Sequence, residues 1–283
     1  MNTFGFIGFG LIAGSIAKAI RSTRPDSCII ACTRTRSSLD KALEENIVDI
    51  AVEKIDTHFS SCDVIFLCSP VKSILSNMED LSPYVNDSCI ITDVGSVKKY
   101  IQYGADRLGL SKNFIGGHPM AGSEKSGYMY SSTNLLKGRV YILTPGADVS
   151  QDKIDSLSAL VRSFSCDLYI TDPESHDRAV AGISHLPHLA AAGLASTVKE
   201  ADTDDLHLMK AFASTGFLDT TRLAASNPEI WSQICSANSE AIISMLSNYI
   251  KKLDSVLDSL KAHDDKSIEK LFTESGEYRK GFS

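Results

Sequence analysis

The residues Gly8-Phe9-Gly10-Leu11-Ile12-Ala13-Gly14 lie between an apolar run at 4–7 and a helical pattern at 12–21. Between a strand and a helix, glycines in the pattern GxGxxG/A allow a tight turn and bring the backbone close to a pyrophosphate group. The amides and positive potential of the helix N-terminus attract the same anion. The stretch therefore predicts a dinucleotide site, and a glycine-rich turn without a ligand is the alternative. The predicted contacts are Gly8, Phe9, Gly10, Leu11, Ile12 and Ala13.

Further short apolar runs alternate with helical patterns through the first part of the chain. The runs lie at 28–32, 64–68, 88–92, 114–115, 140–143 and 168–170, and the helical patterns include 37–45 and 153–164. Strands that alternate with helices form βαβ units and a mostly parallel sheet. We therefore predict an α/β fold whose N-terminal part, residues 1–172, is a doubly wound Rossmann domain.

The pattern changes after residue 172. No β-like run follows, and apolar residues recur at three- and four-residue spacing towards the C-terminus. This spacing is typical of amphipathic helices and predicts long helices at 174–199 and 231–260. Residues 173–283 are therefore predicted to form an all-α C-terminal domain. Because its first helix is rich in Ala and Leu, we expect that helix to be buried on most sides.

Composition limits the kinds of partner. The 283 residues include 28 Lys and Arg against 35 Asp and Glu without a long block of either sign, so no nucleic-acid partner is predicted. The seven cysteines form no CxxC pair and lie mostly in apolar runs, which is typical of reduced thiols in a cytoplasmic protein. No targeting or membrane-spanning segment is evident. We expect a complete cytoplasmic protein whose partner is a small molecule.

The segment after the second predicted strand is Thr33-Arg34-Thr35-Arg36-Ser37. An NAD enzyme usually has a carboxylate here for the ribose hydroxyls, and that carboxylate would repel a ribose phosphate. Guanidinium and hydroxyl groups bind a phosphate instead. The segment favours NADP over NAD, with contacts from Thr33, Arg34 and Thr35, and a solvated basic loop is the alternative. Ser69 and Pro70, after the run at 64–68, are also assigned to the cofactor site.

Two polar segments follow predicted strands, where substrates meet cofactors in doubly wound sheets. Residues 92–98 contain Ser96, and residues 116–123 place His118 in a glycine-rich loop. A neutral imidazole is suited to accept a hydroxyl proton near neutral pH, so His118 is the candidate base. Ser96 could hydrogen-bond this imidazole or the substrate hydroxyl. Equally, Ser96 could cap a helix that begins at Val97 while His118 supports a turn.

The helical domain offers further polar groups. His185 and His188 lie three residues apart, but no further His or Cys stands at ligand spacing, so no metal site is predicted. A histidine on an apolar helix is more often a core residue. Arg222 suits a carboxylate substrate because a guanidinium binds carboxylates in a bidentate manner. An ion pair between Arg222 and Asp219 on one helix face is the alternative.

Together these motifs resemble the prephenate and arogenate dehydrogenases of tyrosine biosynthesis, and the resemblance covers nearly the whole chain. The motifs that carry it are Gly8 to Gly14, Asp93-Val94-Gly95-Ser96-Val97-Lys98, Gly117-His118-Pro119-Met120-Ala121-Gly122-Ser123-Glu124-Lys125-Ser126-Gly127, Ser184-His185-Leu186-Pro187-His188, and the set Gly216, Phe217, Asp219, Arg222, Pro228 and Trp231.

The resemblance implies a reaction and an assembly. His118 would accept the proton of the ring hydroxyl of prephenate while hydride leaves the same carbon for the nicotinamide, and Ser96 would hold His118 and the hydroxyl. Loss of carbon dioxide then gives 4-hydroxyphenylpyruvate. The family's helical domains pair, which implies a homodimer. The implied substrate contacts are His188 and Arg222 at the pyruvyl side chain and carboxylate, Trp231 and Ser123 in the pocket, and Glu124 and Asp219 in a polar gate.

Several alternatives remain open within this resemblance. The presence of His188 favours prephenate over arogenate, because some arogenate-selective relatives lack this histidine. Thr33-Arg34 departs from the acidic residue of NAD-preferring relatives, and 283 residues leave no room for a fused chorismate mutase or regulatory domain. A β-hydroxyacid dehydrogenase is a further alternative, although residues 177–197 contain no lysine for its catalysis. A non-catalytic NADP sensor is the alternative outside enzymes, but such a sensor has no need for His118.

Overall fold

A computed structural model describes residues 1–33, 36–122, 125–203 and 206–282 of the chain. These residues form two compact units, Met1–Ser239 and Glu240–Ser283. The first unit contains a sheet with helices, and the second is built from helices. The predicted domain boundary after residue 172 falls inside the first unit and stays a prediction.

The first unit is built around one sheet of eight strands. They are β1 (Thr3–Ile7), β2 (Cys28–Cys32), β3 (Ile50–Val52), β4 (Val64–Leu67), β5 (Ile90–Asp93), β6 (Phe114–Pro119), β7 (Val140–Pro145) and β8 (Asp167–Ile170). Their order in the sheet is β3-β2-β1-β4-β5-β6-β7-β8. Neighbours are parallel except β6 and β7, which run antiparallel. The strand order switches direction between β1 and β4, where doubly wound sheets bind their ligands.

Both faces of the sheet are covered by apolar side chains. On one face Phe4, Phe6 and Phe66 belong to a buried cluster, and the rings of Phe6 and Phe66 stack with centroids 5.0 Å apart. On the other face Ile65 and Leu67 belong to a second buried cluster. This alternation follows from the two-residue period of a strand. The predicted Rossmann architecture is confirmed, and a mostly helical part follows it.

The helices of the described residues alternate with these strands or follow them along the chain. They are α1 (Leu11–Thr23), α2 (Arg36–Glu44), α3 (Val71–Leu81), α4 (Lys99–Arg107), α5 (Gln151–Ser163), α6 (Pro173–Val180), α7 (Leu186–Ala201), α8 (Leu208–Phe212), α9 (Thr215–Thr221), α10 (Pro228–Ala237), α11 (Ser239–Lys261) and α12 (Asp265–Lys280).

Strand β6 is longer than predicted. It continues to Pro119 because residues 115–119 pair with β7, with Gly117 opposite Leu143 and His118 opposite Ile142. His118 therefore lies on a strand, and its predicted position in a loop is wrong. The glycines before it hide the strand from sequence analysis, since glycine gives no β pattern. Strand β3 was also missed, because its three residues are too few to show a period.

The helix boundaries near Asp177 also differ from the prediction. The helix expected at 174–199 contains a π-helical turn at Ala181–His185, and the helix expected at 231–260 breaks at Asn238. The buried Asn238 side chain donates to the carbonyl of Asp177 at 2.8 Å, which fixes this break against α6. Each interruption is determined by a partner distant in sequence, so the apolar spacing alone does not reveal it.

The second unit contains most of α11 together with α12. Apolar side chains on α11 are 48–64% exposed and recur at seven-, three- and four-residue spacing, which places them along one face. They are Ile243, Ile250, Leu253, Leu257 and Leu260. We call this face the α11 stripe. No helix within the described ranges is both long and apolar enough to cross a lipid bilayer.

Candidate active site

The loop after β1 has the backbone that a dinucleotide site needs. Gly8 has a φ of +83°, and a Cβ there would lie 2.8 Å from Ser69 Oγ and 3.0 Å from the carbonyl carbon of Cys68. Gly10 precedes α1, and a Cβ there would meet no atom of the described chain within 4 Å. Because α1 has no acidic residue in its first turn, its N-terminal amides suit an anion. These features fit the pyrophosphate of a nicotinamide dinucleotide.

The other predicted contacts from this loop are mostly apolar. Phe9 is buried, and its ring stacks on that of Tyr128 with centroids 5.4 Å apart. Its side chain therefore belongs to the core, which leaves its backbone as the group that could bind a ligand. Leu11 and Ile12 are half-buried in the first turn of α1, and Ala13 is buried.

The remaining cofactor assignments lie after β2 and β4. Ser69 accepts a hydrogen bond from Nδ2 of Asn77 at 2.8 Å, and Pro70 directly precedes α3. Thr33 is half-buried after β2. Arg34 and Thr35 lie outside the described residues, so the predicted contacts to a ribose phosphate stay a prediction.

His118 belongs to a buried chain of hydrogen bonds. Its Nδ1 lies 2.8 Å from Nε2 of His176, and Nδ1 of His176 lies 2.7 Å from Oδ1 of Asp177. His176 and Asp177 lie on α6 and are only 1% and 3% exposed. We call these three residues the triad. Nε2 of His118 makes no hydrogen bond within the described residues, so it is the atom available to a substrate.

The surroundings of His118 keep its imidazole neutral. Burial holds the pKa of His118 well below its usual range, and the positive charge of Lys98 acts in the same direction. Lys98 is itself fully buried in an ion pair with Asp93. The Asp93 carboxylate also accepts hydrogen bonds from the backbone amides of Gly95 at 2.8 Å and Gly117 at 3.0 Å. A neutral imidazole is the form that can accept a proton.

Ser96 lies half-buried in the loop between β5 and α4. No hydrogen bond joins it to His118 in the part of the chain that the structure describes, where the partner of the imidazole is His176. The alternative role for Ser96, the cap of a helix at Val97, is wrong. Helix α4 begins at Lys99, and the Asp177 carboxylate accepts hydrogen bonds from the amides at 98 and 99. Contact between Ser96 and a substrate hydroxyl stays a prediction.

Three of the predicted substrate contacts lie together in the helical part. The ring of His188 stacks on that of Trp231 with centroids 3.7 Å apart, and its Nδ1 donates to the carbonyl of Ser184 at 2.8 Å. Burial lowers the pKa of His188, the hydrogen bond to Ser184 opposes this, and the guanidinium of Arg222 adds to it. His188 is therefore neutral near pH 7, with an arginine and an aromatic surface beside it.

The other predicted substrate contacts do not lie in this group of residues within the part of the chain that the structure describes. Asp219 is exposed on α9. Ser123 and Glu124 lie outside the described residues. Among the residues that are described, no cluster of three or more His, Cys, Asp and Glu side chains could hold a metal ion.

His185 is a polar group whose place in the site was not predicted. It is fully buried, and its Nδ1 accepts a hydrogen bond from Nδ2 of Asn238 at 3.2 Å. Its Nε2 has no hydrogen-bond partner in the described ranges. Burial lowers the pKa of His185 to about 4, so the ring is neutral and its Nε2 carries the hydrogen. An unpaired buried N–H of this kind is uncommon and fits a bound group that accepts it.

Sequence reasoning missed His176 and Asp177. The adjacent His and Asp at the start of the first helix after the sheet are a signal, but 58 residues separate His176 from His118. Only the packing of α6 beside β6 and β7 reveals the pairing.

Two family models match the chain. The model described as prephenate dehydrogenase, nucleotide-binding domain, matches residues 16–169. The model described as prephenate dehydrogenase, dimerization domain, matches residues 172–274. Between them they cover most of the chain.

Individual relatives match over almost its full length. The prephenate dehydrogenase of Bacillus subtilis (strain 168) is 31% identical over 283 residues, which are 99% of this chain and 76% of the relative. A crystal structure of prephenate dehydrogenase from A. aeolicus in complex with hydroxyphenyl propionate and NAD+ has a TM-score of 0.94 and 29% identity, over 100% of this chain and 99% of that chain. The crystal structure of Synechocystis arogenate dehydrogenase has a TM-score of 0.88 and 32% identity, over 99% and 100% of the two chains.

Proposed function

This chain belongs to the prephenate dehydrogenase family, and we propose that it catalyses the oxidative decarboxylation of prephenate to 4-hydroxyphenylpyruvate, a step of tyrosine biosynthesis. It is an oxidoreductase that uses a nicotinamide dinucleotide. Arogenate, which carries an amino group in place of the side-chain keto group, is the second candidate substrate.

The observation that carries the proposal is the neutral, buried His118 whose Nε2 is left for a substrate. β1, β4, β5 and β6 are parallel, so His118 near the end of β6 lies at the same edge of the sheet as the Gly8 loop. When bound, the nicotinamide ring accepts a hydride. His118 takes the hydroxyl proton onto Nε2, which lets the hydroxyl carbon become a carbonyl as its C–H bond breaks. Loss of the ring carboxylate as carbon dioxide then makes the ring aromatic, so no second base is required.

The side chain of prephenate is proposed to bind near Arg222, His188 and Trp231. Its keto and carboxylate oxygens accept hydrogen bonds, and the guanidinium of Arg222 supplies donors for both. This local positive charge also compensates for the formal net charge of −7, which otherwise disfavours an anionic substrate. Ser96, Ser123, Glu124 and Asp219 complete the proposed substrate contacts.

One observation favours arogenate as the second candidate. Nδ1 of His188 donates to Ser184, and the neutral ring therefore presents a lone pair at Nε2. A lone pair accepts a hydrogen bond from the ammonium group of arogenate, whereas the keto oxygen of prephenate needs a donor. Neutral His188 therefore suits arogenate, whereas only protonated His188 could donate to the keto oxygen of prephenate. The substrate preference can be measured by comparing the two substrates.

NADP is the proposed cofactor. No acidic residue stands between Thr33 and Ser37, and Arg34 and Arg36 lie in this segment. Arg36 begins α2 and is held by ion pairs with Asp40 at 2.9 Å and Glu53 at 3.5 Å. The pyrophosphate is proposed to bind the backbone of residues 8–13, with Ser69 and Pro70 beside it.

A homodimer formed through the helical domain, residues 173–283, completes the proposal. The α11 stripe supports it, because an exposed apolar face of this length is typical of a surface that another chain covers. All seven cysteines are free, which fits the reducing cytoplasm. No nucleic-acid or membrane partner is proposed.

The deciding experiment is a steady-state comparison of prephenate and arogenate, each with NAD and with NADP. We expect reduced nicotinamide and 4-hydroxyphenylpyruvate to form, with the highest kcat/KM for prephenate and NADP. His118→Asn should lower kcat by about 10²- to 10⁴-fold while cofactor affinity stays nearly unchanged.

Each outcome of this comparison bears on one part of the proposal. Absence of turnover with both substrates and both cofactors would overturn it. A higher kcat/KM with arogenate would make the second candidate the substrate. Preference for NAD would contradict the cofactor assignment, and Arg34→Asp should move an NADP preference towards NAD.

A further inference from the structure

We infer that His176 and Asp177 are positioning residues that fix the tautomer of His118, so that Nε2 carries the lone pair that accepts the substrate proton. The role in catalysis rests on the proposed function. The tautomer itself is a property of this chain alone and can be measured without any substrate.

The direction of each hydrogen bond in the triad follows from the carboxylate. An ionised carboxylate only accepts hydrogen bonds, so Nδ1 of His176, 2.7 Å from Oδ1 of Asp177, carries a hydrogen. A neutral imidazole has one N–H, so Nε2 of His176 is an acceptor. It lies 2.8 Å from Nδ1 of His118, which must therefore donate. Nε2 of His118 is then left without a hydrogen and can act as a base.

The Asp177 carboxylate is held in one orientation. Its Oδ1 accepts from the backbone amide of Lys98 at 2.7 Å, and its Oδ2 accepts from that of Lys99 at 2.9 Å. Its own backbone carbonyl accepts from Nδ2 of Asn238 at 2.8 Å. Rotation of the carboxylate would break these bonds at a buried site, where each unpaired group is costly. The start of the triad is therefore fixed by the backbone of the loop that carries Ser96.

The triad also supplies a negative charge, on Asp177, that stabilises His118 once it is protonated. The groups that face His118 are Lys98 from the loop before α4, His176 from α6 and His185 from the π-helical turn. When Nε2 accepts a proton, the ring becomes an imidazolium, and the Nδ1–H bond to His176 becomes charge-assisted. Through His176, the Asp177 carboxylate then stabilises this cation against the repulsion of Lys98. The same logic holds in Asp-His catalytic triads, where the carboxylate orients the imidazole.

The first test is the tautomer of His118 in the full-length protein without substrate, measured by long-range ¹H–¹⁵N correlation of ¹⁵N-labelled histidine. We expect hydrogen on Nδ1 and none on Nε2. Asp177→Ala should leave His118 with a mixture of both tautomers, because Nδ1 of His176 then has no carboxylate to donate to. Asp172→Ala is the matched control: it removes the hydrogen bond to Ser175 that caps α6 and leaves the triad intact.

Two results of this measurement would overturn the inference. One is hydrogen on Nε2 of His118 in the wild-type protein. The other is an identical His118 spectrum in the wild-type protein and in Asp177→Ala, with both proteins folded by circular dichroism.

The second test is kinetic and uses prephenate and NADP. His176→Leu should lower kcat by about 10²- to 10³-fold with little change in KM, and His176→Gln should recover about tenfold of that loss, because an amide oxygen can accept from Nδ1 of His118. A kcat for His176→Leu close to wild type, or a glutamine variant no better than the leucine variant, would overturn a positioning role. Inactive wild-type protein would overturn the proposed function and leave the tautomer result standing.

Discussion

Burial decides which form of His118 is present at a given pH. Desolvation and the neighbouring Lys98 hold the pKa of its imidazole well below the usual range. The imidazole is neutral above that pKa and is protonated as the pH falls through it. We therefore expect kcat/KM for prephenate to stay level from about pH 6.5 upwards and to fall only under more acid conditions.

The pH–rate profile of the wild-type enzyme with saturating NADP measures this directly. The substrate carboxylates remain ionised throughout the range, so the acid limb reports the enzyme. A midpoint of that limb near pH 7 or higher would show that His118 is not held neutral by its surroundings, and the assignment of the base would have to be revised.

The residues of the site that could be predicted are those whose chemistry is visible locally. A histidine after glycines, an arginine in the helical part and a glycine-rich loop after a strand each indicate a role by residue type and position. His176 and Asp177 could not be found in this way. The role inferred for them depends on a contact with His118, and their local pattern is that of an ordinary helix start.

At the scale of the elements, α1 approaches its neighbours unusually closely at Gly14. A Cβ at this position would lie 2.6 Å from Cδ2 of the fully buried Tyr128 and 2.8 Å from Oγ of Ser131. Alanine normally stabilises a helix interior by about 1 kcal/mol relative to glycine. Here overpacking against a buried ring costs about 1–3 kcal/mol, so the steric term outweighs the helix propensity.

Gly14→Ala should therefore lower the free energy of unfolding, measured by urea denaturation. The control is Gly276→Ala on α12, where a Cβ would meet no described atom within 4 Å. That variant should be neutral or slightly stabilising. If both variants changed stability by the same amount, the close approach of α1 to Tyr128 would not matter.

Strands that consist of apolar runs were predicted well, because a strand buried on both faces of the sheet has consecutive apolar residues in the sequence. The extension of β6 was not predicted, since its residues 116–119 are glycines, a histidine and a proline that owe their conformation to pairing with β7. The break at Asn238 was hidden for a similar reason. Its side chain is bound to Asp177 and His185, and neither lies within the same helix.

At the scale of the whole molecule, a single copy of the chain has an apolar surface that is exposed to solvent. The α11 stripe presents Leu253 and Leu257 to solvent, each 48% exposed. We expect a second copy to cover it, because burial of large apolar side chains stabilises association by about 25 cal/mol per Å² before the costs of binding.

Leu257→Asp should shift the protein from dimer to monomer in light scattering after gel filtration. Ser255→Asp is the control, since it adds the same charge to an exposed position of α11 that lies off the stripe. A wild-type protein that is monomeric at micromolar concentration, or a dimer that both variants leave intact, would show that the stripe is not the interface.

The overall architecture followed from the alternation of strands and helices, but the extent of the first compact unit did not. That unit continues to Ser239. The helices after residue 172 are bound to the sheet part by individual contacts, such as the 3.2 Å hydrogen bond from the amide of Lys72 to Oε1 of Gln233 and the burial of Ile234 in the cluster that contains Ile65 and Leu67. Such contacts leave no trace in composition or periodicity.

The position of Asp177 has a consequence for hybrid proteins made by recombination between related genes. The proposed proton acceptor, His118, lies on β6, but the residues inferred to orient it are encoded beyond the last strand. A crossover near residue 172 between two homologous genes would take the acceptor from one parent and its orienting pair from the other. Such hybrids should keep their turnover only when the second parent also has His followed by Asp near the start of its first helix after the sheet.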